Sequence, residues 1–282
     1  MSAIQQMIDE MRRRGYASKT IKEYSASLRR LATYFGCCPS KLTQEQIRQY
    51  QVHLAGRDDI SASYYNSTVT AMRFMYLETL GRDWSIERLP YGRREYRLPI
   101  VLSRQEVFEL WRPLRQMKRR LLLMTAYSAA LRTSELVHLR VEDLDAKQMQ
   151  IRVKQDSGKG ERFVPYSPTL KRLMGPYLAE RGSVWLFPGK SNEHPLTTWA
   201  ARNICAHAAR LARLPKAVTI TILRHSAATH LLELGVDLRT IQKILGHGRL
   251  GTTMRYALLT HDKRQPPVQP LDLLPSPESS TP

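Results

Sequence analysis

One stretch near the C-terminal end limits the possible folds more than any other. In LRHSAATHLLELGVDLRTIQKILGH, residues 223–247, apolar residues recur at helical spacing on both sides of Gly235-Val236-Asp237. Leu223, Ala227, Leu231 and Leu234 fall on one face of a first helix, and Leu238, Ile241 and Leu245 on one face of a second. Gly235 reads as the stop of the first helix and Asp237 as the N-cap of the second. Gly246 ends the second helix and leaves His247 at the break. A third helix is expected to begin at Thr252 or Thr253 and to carry Tyr256. Periodicity alone makes helix-turn-helix DNA binding a fair reading, but that reading has no use for Arg224, His247 and Tyr256 at the helix ends.

The rest of the chain divides by composition. Residues 3–92 read as helical. Ser18 opens a segment with Ile21, Tyr24, Leu28, Leu31 and Tyr34 in register, closed by Gly36. Thr43 starts another with Ile47, Tyr50 and Leu54, and a third runs from about Ser61 to Leu80 with Tyr64, Val69, Met72, Met75 and Tyr76 inward. Leu89 to Pro99 holds two prolines, a glycine and four charges, and reads as an extended basic linker that includes Arg93 and Arg94. Ser103 to Glu106 is a capping box. Arg119 to Ala130 is an apolar helix, and Thr133 caps the helix carrying Leu136 and Leu139. Gln148 to Lys154 alternates as a strand, Asp156 to Gly160 is turn chemistry, and Glu161 to Tyr166 returns as a second strand. The fold class expected is therefore mainly α with a small β-sheet, an α+β chain. From Gln265 onward, prolines and serines predict a disordered tail.

Charge narrows the partner. Lysine and arginine number 44 against 25 acids, a formal charge of +19 in 282 residues. Such self-repulsion calls for an anionic partner, and a polyphosphate partner gains affinity by counterion release. No run of eighteen apolar residues suggests a membrane span, and the charged N-terminus lacks a secretory h-region. Cys37, Cys38 and Cys205 fit neither a disulfide framework nor a zinc site, and read as reduced, buried thiols of a cytosolic protein.

The long motif, with Tyr256 nine residues after His247, resembles the C-terminal signature of the tyrosine recombinases, the phage-integrase family. Ala130-Leu131-Arg132-Thr133-Ser134-Glu135 resembles that family's first arginine box. The likeness spans about residues 5–262 and is closest to Xer-like bacterial enzymes and integrases of mobile elements. It implies a helical core-binding, SAM-like DNA-binding domain at 1–88, a linker at 89–99, a catalytic domain at 100–264 and the tail at 265–282. It also implies a bacterial cytoplasmic, nucleoid-associated enzyme needing neither cofactor nor metal. Its partners would be a double-stranded DNA recombination site and three further copies of itself, strands being exchanged through a Holliday junction.

The resemblance assigns residues as follows. Tyr256 is the nucleophile that forms a 3′-phosphotyrosine bond. Arg132 and Arg224 meet the phosphate, for which a planar guanidinium fork is suited. His247 bonds the scissile phosphate, Glu135 buttresses Arg132 or its helix, and a hairpin lysine protonates the leaving oxygen. Two positions depart from the family. Thr221 stands where histidine, or sometimes lysine, is usual, and threonine cannot shuttle a proton. The hairpin lysine is assigned to Lys159 by its Gly-Lys-Gly context, although an ungapped count from Arg162 falls on Ser157; Lys154 is a weaker candidate. Ala130 also replaces a common glycine and is expected to be tolerated. The competing readings are a catalytically impaired DNA-binding protein of the same fold, a type IB topoisomerase-like enzyme and a pure helix-turn-helix regulator.

Overall fold

The computed structural model describes residues 2–84, 89–92, 98–154, 160–179 and 182–260. Lys159, Ser157, Arg93, Arg94 and the tail therefore lie outside the described residues. The chain divides into two compact units, residues 1–96 and 97–282.

The first unit is helical: α1 (Ala3–Arg13), α2 (Ser18–Phe35), α3 (Gln44–Ala55) and α4 (Ala62–Arg73). Local chemistry sets their ends. Gly36 closes α2 in the left-handed region at φ 63°, and Thr43 with Gln46 forms a complete capping box on α3. The expected helix to Leu80 is regular only to Arg73; Phe74–Thr79 continues it as a π-helical turn. Met7, Met11, Leu28, Leu31, Ile47, Leu54, Val69, Met72 and Met75 pack into one core. The buried Tyr76 hydroxyl donates to the Pro39 carbonyl at 2.8 Å, so the polar tip is satisfied.

The second unit begins its helices with α5 (Arg104–Trp111), α6 (Met117–Ser128) and α7 (Thr133–Val137). Ser103 and Glu106 make the expected capping box on α5. On α7 the cap lies one residue earlier than expected: Arg132 is the N-cap, and the Glu135 side chain reaches back to its N–H at 2.8 Å. Three antiparallel strands follow in the order β1 (Leu144–Asp145), β2 (Gln150–Lys154) and β3 (Glu161–Pro165). The short β1, which pairs Leu144 with Ile151, has too little alternation to be seen in sequence. In β2–β3 the register sets Ile151 opposite Val164 and Val153 opposite Arg162.

Helices complete the unit: α8 (Pro168–Ala179), α9 (Thr198–Leu211), α10 (Ile220–Glu233), α11 (Leu238–Leu245), α12 (Leu250–Met254) and α13 (Ala257–Thr260). The break between α10 and α11 follows the expected chemistry. Gly235 has φ 83°, and the Asp237 side chain accepts from the N–H groups of Arg239 and Thr240. Leu234 departs from expectation: it is the C-cap of α10 and 66% exposed, because the chain turns before the apolar face completes another round. The thiols differ as well. Cys205 is buried, Cys37 half-buried and Cys38 exposed, with its Sγ 3.2 Å from Ser40 Oγ. Among the described residues, no helix is long and apolar enough to cross a membrane.

Candidate active site

The site lies within the second unit, where α7, β3, the start of α10 and the end of α11 converge on one carboxylate. Glu135 is 3% exposed. Its Oε1 accepts from Arg132 Nη1 at 2.7 Å and from Arg162 Nη1 at 2.7 Å, and its Oε2 accepts from Arg162 Nη2 at 2.8 Å. Arg224 Nη1 stands 3.6 Å from the same Oε2. Burial alone would raise the Glu135 pKa; hydrogen bonds from Arg162 and the Arg132 backbone outweigh it and carry it down to about 2. The carboxylate therefore stays charged and offsets part of the repulsion among three guanidinium groups.

Backbone carbonyls aim those guanidinium groups. Arg224, 5% exposed near the start of α10, donates from Nη1 to the Ala130 carbonyl at 2.8 Å and from Nη2 to the Leu245 carbonyl at 2.5 Å. Arg162 donates from Nε to the Ile244 carbonyl, and Arg132 from Nη2 to the Gly246 carbonyl at 3.1 Å. Three successive carbonyls at the end of α11 thus hold three arginines. This is where α11 leaves its last carbonyls without intrahelical partners, and cations are favoured there. Desolvation, then Arg132, lowers the Arg224 pKa to about 10, which leaves it cationic at neutral pH. Arg132 differs from the other two in keeping a side chain 41% exposed, so it can meet an incoming anion.

Gly246 makes this packing possible. Its φ of 61° suits glycine, and a Cβ there would sit 3.0 Å from Arg162 Cδ and 3.2 Å from Arg162 Nε. His247 follows directly, half-buried, with Nδ1 3.0 Å from Thr253 Oγ1. Burial first, then the positive charges of Arg224, Arg132 and Arg255, hold its pKa at about 4.

Tyr256 lies in the turn between α12 and α13 rather than on a helix as expected. The helix begins earlier, at Leu250, and ends at Met254, so the tyrosine folds inward and is 1% exposed within the core of the unit. Its Oη is 2.8 Å from His225 Nδ1. Burial raises the phenol's pKa, while Arg224 and Arg255 pull it down. Burial, Arg255 and Arg224 together lower the His225 pKa to about 4.

Of the residues singled out in the sequence, Arg132, Glu135, Arg224, His247 and Tyr256 come together in this one neighbourhood. Thr221 does not join the hydrogen-bonded cluster: it is exposed on the first turn of α10. Lys154, at the end of β2, is directed to solvent, 4.0 Å from Glu142. Arg162 and His225 escaped the sequence reading. Strand alternation could have found Arg162, which shares the inward face of β3 with Val164 while Phe163 is exposed. His225 carried no signal, because its partner lies 31 residues on and is reached only through the fold.

Comparison with known proteins gives the following. Residues 101–263 match the phage integrase family, and residues 4–86 match the SAM-like N-terminal domain of phage integrases. The chain is 39% identical over 280 residues to the integrase/recombinase y4qK of Sinorhizobium fredii (strain NBRC 101917 / NGR234), covering 99% of this chain and 91% of that one. It is 30% identical over 282 aligned positions to tyrosine recombinase XerD of Rhizobium meliloti (strain 1021), covering 91% and 90%. Among solved structures, the Tn1549 transposon integrase in complex with circular intermediate DNA shares the fold with a TM-score of 0.71 at 19% identity, covering 91% of this chain and 95% of that one.

Proposed function

Because this chain belongs to the phage integrase family, the tyrosine recombinases, we propose that it cleaves and rejoins double-stranded DNA at a specific site through a 3′-phosphotyrosine bond on Tyr256. The observation that carries this reading is the single carboxylate, Glu135, that gathers Arg132 and Arg224 beside a buried tyrosine.

The chemistry follows from the residue types. Attack by Tyr256 Oη on the scissile phosphorus builds charge on the non-bridging oxygens. Arg132 and Arg224 stabilise that charge, and they are already aimed by Glu135 and the backbone carbonyls, so little reorganisation is needed. His247 donates to the phosphate. It is neutral at pH 7 when DNA is absent, and an arriving phosphate anion raises its proton affinity. The energy of the phosphodiester is retained in the phosphotyrosine, so religation needs no nucleotide hydrolysis. Lys159 protonates the leaving 5′ oxygen.

The charge of +19 supports nucleic acid as the substrate, as do the DNA-bound structures of proteins with this fold. Four protomers on two DNA sites cleave two at a time and exchange strands through a Holliday junction. The work belongs with the bacterial nucleoid, on DNA of the host or of a mobile element.

One observation favours a second reading, a DNA-binding protein of the same fold that does not cut: Thr221 replaces the family's usual histidine and faces solvent. A DNA substrate nicked beside the target phosphate separates the two. A covalent protein–DNA adduct that disappears in Tyr256→Phe is the expected result; tight binding without any adduct overturns the cleavage reading.

A further inference from the structure

With Thr221 unable to act as a base, the proton on Tyr256 needs another acceptor. The phenol is enclosed, and burial raises its pKa, so it enters the reaction protonated. Within the structure the imidazole of His225 already touches the reacting oxygen, with Nδ1 2.8 Å from Oη. The two rings are 5.7 Å apart between centroids and tilted by 46°. That arrangement lets the hydroxyl point at a nitrogen lone pair.

We propose that His225 is the general base of the cleavage step, accepting the Tyr256 proton from the position immediately after Arg224. The inference rests on the reading of Tyr256 as nucleophile and adds the residue that activates it. As the bond from Oη to phosphorus forms, the bond from phosphorus to the 5′ oxygen breaks, and the phenolic proton passes to His225 Nδ1. The departing oxygen takes its proton from the lysine assigned to that role above. Religation reverses the path and returns the proton to Tyr256.

The surroundings keep His225 unprotonated before the reaction. Arg224 on its own helix, and Arg255 beside Tyr256, disfavour a charged imidazole, and both add to the effect of burial. His247, just past the end of α11, is held neutral by burial first and then by Arg224, Arg132 and Arg255. His225 is therefore an unprotonated acceptor at pH 7. Once the proton has moved, the imidazolium stands next to a new phosphotyrosine whose anionic oxygens offset the charge. The structure thus has proton-handling chemistry at Tyr256 that the residue pattern, with Thr221 at the expected position, lacks.

The test is single-turnover cleavage of the nicked substrate by the full chain, from pH 5.5 to 9.5, with DNA affinity measured in parallel. The central variant is His225→Asn, because the Asn carboxamide oxygen can keep the hydrogen bond near the Nδ1 position but cannot take up a proton. The expected result is a loss of about 100-fold or more in the cleavage rate at pH 7, with affinity little changed. The variant's rate should also climb with pH as the phenol ionises unaided, while the wild type stays nearly flat above pH 6. His225→Asn cleaving within about threefold of wild type, with the same pH profile, overturns the proposal, since the typical contribution of a general base is far larger.

Replacing Tyr256 with a more acidic fluorotyrosine gives a second measure, which is needed if His225→Asn fails to fold. With a base in place, the wild-type background should change by less than about threefold; a rise of about tenfold shows unassisted attack and overturns the proposal. If the wild type forms no adduct at all, the cleavage reading falls and the base assignment falls with it. If the adduct forms on Tyr256 and only the His225 variants behave as wild type, the base assignment alone fails.

Discussion

Arg162 meets Glu135 through two parallel hydrogen bonds of 2.7 and 2.8 Å, both groups shielded from solvent. This fork joins β3 to α7, and the Arg162 Nε–H, donating to the Ile244 carbonyl, joins β3 to the end of α11. The pair is thus the frame on which Arg132 and Arg224 are hung.

Removing one side of a buried pair strands the other charge. Glu135→Gln leaves Arg162 and Arg224 without their carboxylate and should cost about 3–5 kcal/mol. Urea unfolding checks this: the midpoint should drop with the slope unchanged. A loss below about 1 kcal/mol would mean that solvent compensates the arginines and that the cluster is not the frame described.

Acid should destabilise the fold in two stages. His225 and His247 have folded values near 4 against 6.5 for the free side chain. The unfolded chain therefore binds protons at these positions that the folded chain refuses, so stability is full above pH 6.5 and declines as pH falls toward 4. Each proton taken up only on unfolding contributes a slope of about 1.4 kcal/mol per pH unit. Glu135, at about 2 against 4.5, continues the decline between those values. Histidine NMR titration of the free protein should give two midpoints near 4. Midpoints near 6.5, with stability flat from pH 7 to 4.5, would contradict the burial of both rings.

Gly246 should resist substitution for two reasons that act together. Gly246→Ala adds about 1–2 kcal/mol of backbone strain at positive φ and brings a methyl to 3.0 Å from Arg162 Cδ. Arg162 must then shift on Glu135. The expected outcome is a destabilisation of about 2 kcal/mol and slower DNA cleavage. A variant as stable and as active as wild type would show that Arg162 can be moved without cost.

Arg132 offers a cleaner test of the phosphate contact, because its side chain is partly exposed while Arg224 is enclosed. Arg132→Lys keeps the charge and loses the planar fork. The cleavage rate should fall by about 100- to 1,000-fold, while DNA affinity changes much less. An equal fall in affinity and rate would assign Arg132 to ground-state DNA binding instead.

Much of this was legible in the chain because helix ends are local events. Gly36, Thr43, Ser103, Asp237 and Gly246 each set a boundary through their own dihedral angles or side-chain oxygens. The order of Arg132, Glu135, Arg224, His247 and Tyr256 was legible as a family pattern. What escaped depends on contacts distant in sequence. Arg162 acquires its role only when β3 packs on α11, 82 residues away. His225 meets Tyr256 where the chain turns after α12, which ends at Met254, two residues before the tyrosine. The glycine usual before Leu131-Arg132 has a physical reason visible only in three dimensions: Ala130 sits at φ 48°, where its carbonyl can accept from Arg224. Lys159 and the tail, outside the described residues, remain expectations of the sequence.

In the proposed reaction Tyr256 carries the broken strand. The most direct test is to trap the wild-type chain on a nicked DNA substrate, digest the adduct with protease and nuclease, and locate the nucleotide-bearing residue by mass spectrometry. A 3′-linked nucleotide is expected on the peptide containing Tyr256, and none in Tyr256→Phe. A nucleotide on another residue, or DNA held tightly with no covalent product, would contradict it.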